Sequence, residues 1–192
     1  MRHDKSNLHD KSDLMEFASD AKRLYQLQTY GGAPTIEGVQ FVNLTRYHDD
    51  GGSMTELSRL ADGRLEARPD FTVRQINYSV MEPGAIKAFH LHHRQTDVWY
   101  VPPTDRFLMV LVDVRKGSAT EGAQMRFMLG DGASRLVRIP PGVAHGASNI
   151  GQAPGRIIYF VDVNFSPDPS QCDEGRLPWD YAGAHVWEVM RG

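Results

Sequence analysis

From residue 34 onward the chain is cut at short intervals by turn-forming clusters: Asp50-Gly51-Gly52, Ala61-Asp62-Gly63, Glu82-Pro83-Gly84, Val101-Pro102-Pro103, Gly130-Asp131-Gly132, Pro140-Pro141-Gly142 and Ala153-Pro154-Gly155. Glycine permits left-handed backbone and proline fixes φ, so each cluster reverses the chain. The stretches between them are short and rich in β-branched and aromatic residues, the composition of strands. Phe107 to Val112 and Arg156 to Val161 read as strands buried on both faces, whereas Thr72 to Tyr78 and Arg135 to Ile139 alternate as half-buried strands do. Many short strands at this spacing predict an all-β domain, a sandwich or barrel, with a jelly roll the simplest arrangement.

The N-terminal region is of another kind. Met1 to Ser12 is polar, and from Asp13 the residues Leu14, Phe17, Ala21, Leu24 and Gln28 recur at helical spacing. This predicts one amphipathic helix over 13–28, capped by Ser12 or Asp13 and ended by Gly31-Gly32-Ala33-Pro34. The expected organisation is an extension with a helix over 1–33 and a β domain over 34–192. The last stretch, Pro167 to Gly192, reads as loop with short helical pieces. At 192 residues the chain can bury a core without disulfides, and its single cysteine, Cys172, cannot form an internal bridge. A net charge of -3 gives no electrostatic case for nucleic acid or an anionic membrane as partner. No apolar run reaches spanning length and the N-terminus has no apolar signal region, so a soluble cytoplasmic protein is expected.

Chemistry concentrates in two segments. In Gly84-Ala85-Ile86-Lys87-Ala88-Phe89-His90-Leu91-His92, strand parity puts His90 and His92 on one face with Ala88 and Ile86, and Asp97 follows a short connection. Far downstream, Pro140-Pro141-Gly142-Val143-Ala144-His145 delivers a third histidine from a tight turn. A lone strand histidine is usually a packing residue. Two on one face, with a third behind a Pro-Gly turn, read instead as a site. His3, His9, His48, His93 and His185 carry no such pattern.

These segments resemble the two motifs of the cupin superfamily. Gly84, His90 and His92 fit the first, and Pro140, Gly142, His145 and Asn149 the second; Asp97 stands where a glutamate is usual and Ser134 where a glycine is. Within cupins the chain looks like the dTDP-4-dehydrorhamnose 3,5-epimerase family over roughly Gly38 to Trp187. The carriers are Gln75 to Ser79, the block from Val112 to Gly122, Ile139 to Gly146, Tyr159, Leu177-Pro178-Trp179-Asp180 and Val186-Trp187. The resemblance implies a cupin jelly roll and proton transfer next to the ketone of a nucleotide-linked 4-keto-6-deoxy sugar. His90 matches the base, Asp180 the carboxylate that fixes its tautomer, and Tyr159 the acid. Glu56, Gln75, Asn77, Lys87, His92 and His145 match substrate-binding positions. A homodimer, with an early strand lent to the neighbour's barrel, is implied as well.

Three positions depart from the family pattern. Its Arg-Gly-Leu-His becomes Lys87-Ala88-Phe89-His90, which loses a bidentate phosphate ligand, and strand parity turns Lys87 away from His90 unless a bulge intervenes. The early Asp-X-Arg-Gly becomes Asp49-Asp50-Gly51-Gly52. Asp97 stands where the family lysine stabilises an enolate, and an anion there would repel a developing oxyanion. Single epimerisation, ketoisomerisation or another keto sugar are therefore open, with no cofactor. A second reading gathers His90, His92, Asp97 and His145 around a divalent metal (Fe, Mn, Ni or Zn), for which imidazole and carboxylate are suitable ligands. A third is a non-catalytic sugar-binding cupin.

Overall fold

A computed structural model describes residues 15–27, 32, 34–66 and 68–190. The chain divides into two compact units, Met1–Gly32 and Ala33–Gly192. In the first, the helix is shorter than the periodicity predicts: α1 spans Ser19–Leu24, Ala18 supplies no side-chain cap, and no residue of α1 is buried. Six residues cannot offset the cost of helix nucleation without burying an apolar stripe. Ser12, Asp13, Leu14 and Gln28 lie outside the described residues.

The second unit is a jelly roll of antiparallel strands. One five-stranded sheet runs β1 (Gln40–Asn43), β12 (Arg135–Ile139), β9 (Asp97–Tyr100), β14 (Gly155–Val161), β7 (Gln75–Met81). The other runs β11 (Gln124–Gly130), β10 (Arg106–Asp113), β13 (Val143–Asn149), β8 (Ile86–Leu91), β15 (Gly175–Arg176). From β7 to β15 consecutive strands alternate between the sheets, apart from the β10–β11 hairpin, so residues distant in sequence become neighbours. A hairpin, β2 (Arg46–Asp49) with β3 (Gly52–Thr55), and a small sheet of β4 (Leu60–Ala61), β5 (Arg64–Leu65) and β6 (Arg68–Thr72) complete it. The alternating run from Thr72 to Tyr78 is not one strand. It breaks at Val73 and Arg74, where the chain passes from the small sheet to β7.

Three apolar layers follow from strand alternation. Trp99, Phe107, Met109, Leu111, Val137, Ile139 and Ile157 fill the space between the sheets. Val98, Tyr100, Leu136 and Phe160 face outward from the first sheet and are covered by Leu65 and Phe71. Phe89, Val110, Val112 and Ala144 face outward from the second and are covered by Val186 and Trp187 of the turn Ala184–Trp187. The strand Phe107–Val112, buried on both faces, lies between two of these layers. The conspicuous block after Val112 is architectural: the Asp113 carboxylate accepts hydrogen bonds from Arg115 Nε at 2.8 Å, Ser118 Oγ at 2.6 Å and Thr120 Oγ1 at 2.6 Å, closing the loop to β11.

Candidate active site

Strand β8 decides what faces the interior. Against β13 its register runs Ile86 to Ser148 and Lys87 to Ala147, then shifts so that His90 pairs with His145. One extra residue on β8 makes this a bulge, which reverses strand parity beyond it. Lys87 therefore shares the interior face with His90. Ala88, expected beside His90, packs instead with the outer layer around Phe89. The neighbouring strand accommodates the bulge with Gly146, where a Cβ would collide with Cβ of Ala88.

Lys87, His90 and His92 open onto a cavity of about 310 Å³ between the sheets, whose other walls include Ser79, Gln95, Asp97, Trp99, Tyr159, Glu174 and Arg176. His90 comes from the second sheet and Tyr159 from the first, so they stand on facing walls. The Nδ1 of His90 donates to Glu174 Oε1 at 2.6 Å, and in the neutral ring this leaves the lone pair on Nε2. That hydrogen bond holds the Glu174 carboxyl below its ordinary range, against the opposing effect of burial. The Nδ1 of His92 donates to the Asp173 carbonyl at 2.7 Å. The Asp173 carboxylate in turn accepts the backbone N–H groups of His93, Arg94 and Gln95 at 2.8–3.1 Å. One strap, Asp173–Glu174, thus fixes both imidazoles.

Asp97 forms part of the cavity floor and is 2% exposed. Its carboxylate accepts from Gln95 Nε2 at 2.7 Å, Trp99 Nε1 at 2.8 Å and His145 Nε2 at 3.2 Å. Burial pushes the Asp97 carboxyl up, but the hydrogen bond and charge of His145, the charge of His92 and the indole N–H outweigh it and hold the group down. Burial likewise pushes His145 down and Asp97 more than reverses this. His145 Nδ1 also faces the Val143 carbonyl at 3.0 Å, so both ring nitrogens meet acceptors and the ring carries two protons. The pair is a buried imidazolium–carboxylate without net charge, and the repulsion expected from a bare Asp97 anion is largely cancelled. For Tyr159, burial first, then the charges of Asp97 and Glu174, raise the phenol above its ordinary value and keep it protonated at neutral pH.

Several expected residues sit elsewhere. Asp180 is exposed in the turn after Trp179 and does not line the cavity; the position behind His90 belongs to Glu174. Glu56 forms an exposed pair with Arg59 at 2.9 Å, away from the site. Gln75 and Asn77, hydrogen-bonded to each other at 2.7 Å, line an adjoining cavity of about 340 Å³. His145 supports the floor from below, its ring 5.5 Å from that of His92 and 5.9 Å from that of His90. Of the four expected metal ligands, His92, Asp97 and His145 bring one ligand atom each within 4.8 Å of one another, and His90 stands outside this group. Their chemistry suits a divalent transition metal: in both histidines Nδ1 meets a backbone carbonyl, which directs Nε2 to the shared centre.

Glu174, Asp173, Gln95, Trp99 and Arg176 carry no periodic signal as site residues. Only the two-residue spacing of Gln95, Asp97 and Trp99, which places them on one face of an extended segment, could have indicated part of this set.

A two-sheet jelly roll whose inward histidines come from β8 and from the strand behind a Pro-Gly turn is a cupin. The family profile described as dTDP-4-dehydrorhamnose 3,5-epimerase matches residues 33–182, and the chain belongs to this family of sugar epimerases and isomerases. It is 40% identical over 145 residues to the spore coat polysaccharide biosynthesis protein SpsL of Bacillus subtilis, covering 76% of this chain and 91% of the relative. It is 30% identical over 148 residues to Agl13 of Haloferax volcanii, described as a probable low-salt glycan biosynthesis epimerase, covering 77% and 90%. Among solved structures, the dTDP sugar isomerase of Desulfovibrio desulfuricans superposes with a TM-score of 0.66 at 28% identity, over 77% of this chain and 88% of that one.

Proposed function

We propose that the protein moves a proton at a carbon beside the ketone of a nucleotide-linked 4-keto-6-deoxy sugar, with His90 as base and Tyr159 as acid and no metal. The observation that carries this reading is the His90–Glu174 hydrogen bond at 2.6 Å, with the raised phenol of Tyr159 on the opposite wall. A tautomer fixed by a carboxylate leaves Nε2 to accept the proton, and the carboxylate steadies the imidazolium that forms. The C–H electron pair becomes the C=C bond of an enolate as the carbonyl π pair moves onto oxygen, and reprotonation at carbon restores the C=O bond. Tyr159 then donates its proton to the other face of the same carbon, inverting it, and solvent returns the phenol and imidazole to their starting states. Lys87, whose ammonium rests on Ser79 Oγ and Val80 O at 3.3 Å, is a donor on the same cavity and suits the developing negative charge.

In D2O, a 4-keto-6-deoxy nucleotide sugar should acquire deuterium at C3 or C5. His90→Ala should slow this by at least about 100-fold, and Glu174→Gln by about 10- to 100-fold, with unchanged circular dichroism. Absence of exchange with every 4-keto nucleotide sugar tried would sink the reading.

The grouping of His92, Asp97 and His145 favours one second reading, a metal-dependent enzyme. It requires the His145 imidazolium to give up the proton it shares with Asp97. Metal analysis of untagged protein separates the two: stoichiometric Fe, Mn, Ni or Zn whose removal abolishes exchange would displace the metal-free mechanism.

A homodimer belongs to the same proposal. β7 is an outer strand of its sheet, and its outward residues Ile76, Tyr78 and Val80 are 55%, 63% and 46% exposed. An open strand edge beside an apolar face invites pairing with a second chain. Action in the cytoplasm accords with the single Cys172 and with the lack, among the described residues, of any helix long and apolar enough to cross a membrane.

A further inference from the structure

The two groups of the proton transfer are held in different ways. His90 is fixed by a hydrogen bond, Nδ1 to Glu174 Oε1 at 2.6 Å. Among the described residues nothing hydrogen-bonds to the Tyr159 hydroxyl, so packing sets where its proton is delivered. Strand pairing decides that packing: on β14, Tyr159 stands between Asn77 of β7 and Trp99 of β9. Asn77 turns its amide oxygen to Gln75 Nε2 at 2.7 Å. Trp99 turns its ring to the phenol, with centroids 5.7 Å apart and planes at 40°. Cross-strand aromatic neighbours of this kind restrain one another.

The indole is itself locked. Trp99 is 6% exposed, its Nε1 donates to Asp97 Oδ2 at 2.8 Å, and its ring meets that of His145 edge to face at 5.2 Å. The same Asp97 oxygen accepts from His145 Nε2 at 3.2 Å, while the other accepts from Gln95 Nε2 at 2.7 Å. A chain of contacts thus runs from the buried ion pair through the indole to the phenol.

Resting on the proton-transfer reading above, we propose that Trp99 is the positioning residue of the acid Tyr159 and that Asp97 acts through it as the anchor. The carboxylate standing where the family has a lysine then has a task separate from the enolate: it locks the ring against which the phenol lies. The consequence is stereochemical. Once His90 has taken the proton, the enolate can be reprotonated from either side. A well-placed Tyr159 donates to the opposite face and inverts the carbon. With the phenol displaced, the His90 imidazolium exchanges its proton with solvent and returns one to the original face. The carbon then exchanges its hydrogen and keeps its configuration. Trp99 sets the ratio of these outcomes.

The test follows a dTDP-linked 4-keto-6-deoxyhexose with the full chain in D2O, scoring deuterium at C3 or C5 separately in inverted and retained sugar. A merely structural role for Trp99 lowers both in step and leaves their ratio unchanged. Trp99→Phe, which keeps a ring but loses the N–H tether, should move the ratio about 3- to 10-fold towards retention, and Trp99→Leu by more than about 10-fold. Asp97→Asn leaves the size of the cavity unchanged and should move the ratio in the same direction, because a neutral amide holds the indole N–H less firmly. Tyr159→Phe sets the limit, exchange with inversion nearly abolished. The inference alone falls if the Trp99 variants keep the wild-type ratio while Tyr159→Phe loses inversion. Inversion by Tyr159→Phe at the wild-type rate, or no exchange by the wild type, overturns the reaction and the inference with it.

Discussion

Asp97 and His145 form an ion pair in which neither partner reaches solvent, being 2% and 1% exposed. Such a pair contributes little beyond a well-packed apolar core, but breaking it is expensive because one charge is left without a partner. Asp97→Ala would strand the His145 imidazolium under the cavity and leave Gln95 and Trp99 without their acceptor. Urea unfolding should show a loss of about 3–5 kcal/mol, far more than for an exposed carboxylate such as Glu56. An unchanged unfolding midpoint would mean that His145 is neutral in the folded protein.

Strand β8 shows how one inserted residue reorganises a site. Without the bulge, Lys87 would face the outer layer and Ala88 the cavity; with it, a cation and a base stand side by side. The bulge depends on the partner strand offering no Cβ at residue 146. Gly146→Ala would push β8 away from β13 or force the bulge out. We expect a stability loss of about 1–3 kcal/mol together with deuterium exchange reduced out of proportion to that loss. Exchange at the wild-type rate would show that the bulge does not position His90.

At the scale of the molecule, the open edge and apolar outer face of β7 lie on the reverse of the strand whose inner side, through Gln75, Asn77 and Ser79, borders the two cavities. Association through this face would therefore bring a second chain close to the substrate. Replacing Tyr78 and Val80 together by lysine should shift sedimentation from dimer to monomer, since like charges on an apolar interface cost more than the contacts they replace. A wild-type protein that sediments as a monomer at micromolar concentration removes this assembly.

Periodic and local features can be read from the chain alone. The turn clusters and alternating runs defined an all-β domain, and β12 begins and ends at Arg135 and Ile139 as its pattern predicts. The spacing of His90, His92 and His145 marked residues that do converge, because strand parity and a Pro-Gly turn are short-range properties of the chain. What depends on pairing between distant strands was not legible. The register shift that turns Lys87 inward is set by β13, and the cation that neutralises Asp97 arrives from 48 residues away. Glu174 reaches His90 from 84 residues downstream, from the loop just before a two-residue strand with no pattern of its own, whereas Asp180, the carboxylate in a recognisable motif, stays in an exposed turn. Local sequence can say which side chains face a common space. Which of them touch, and hence which carry charge, is decided only when the two sheets close on each other.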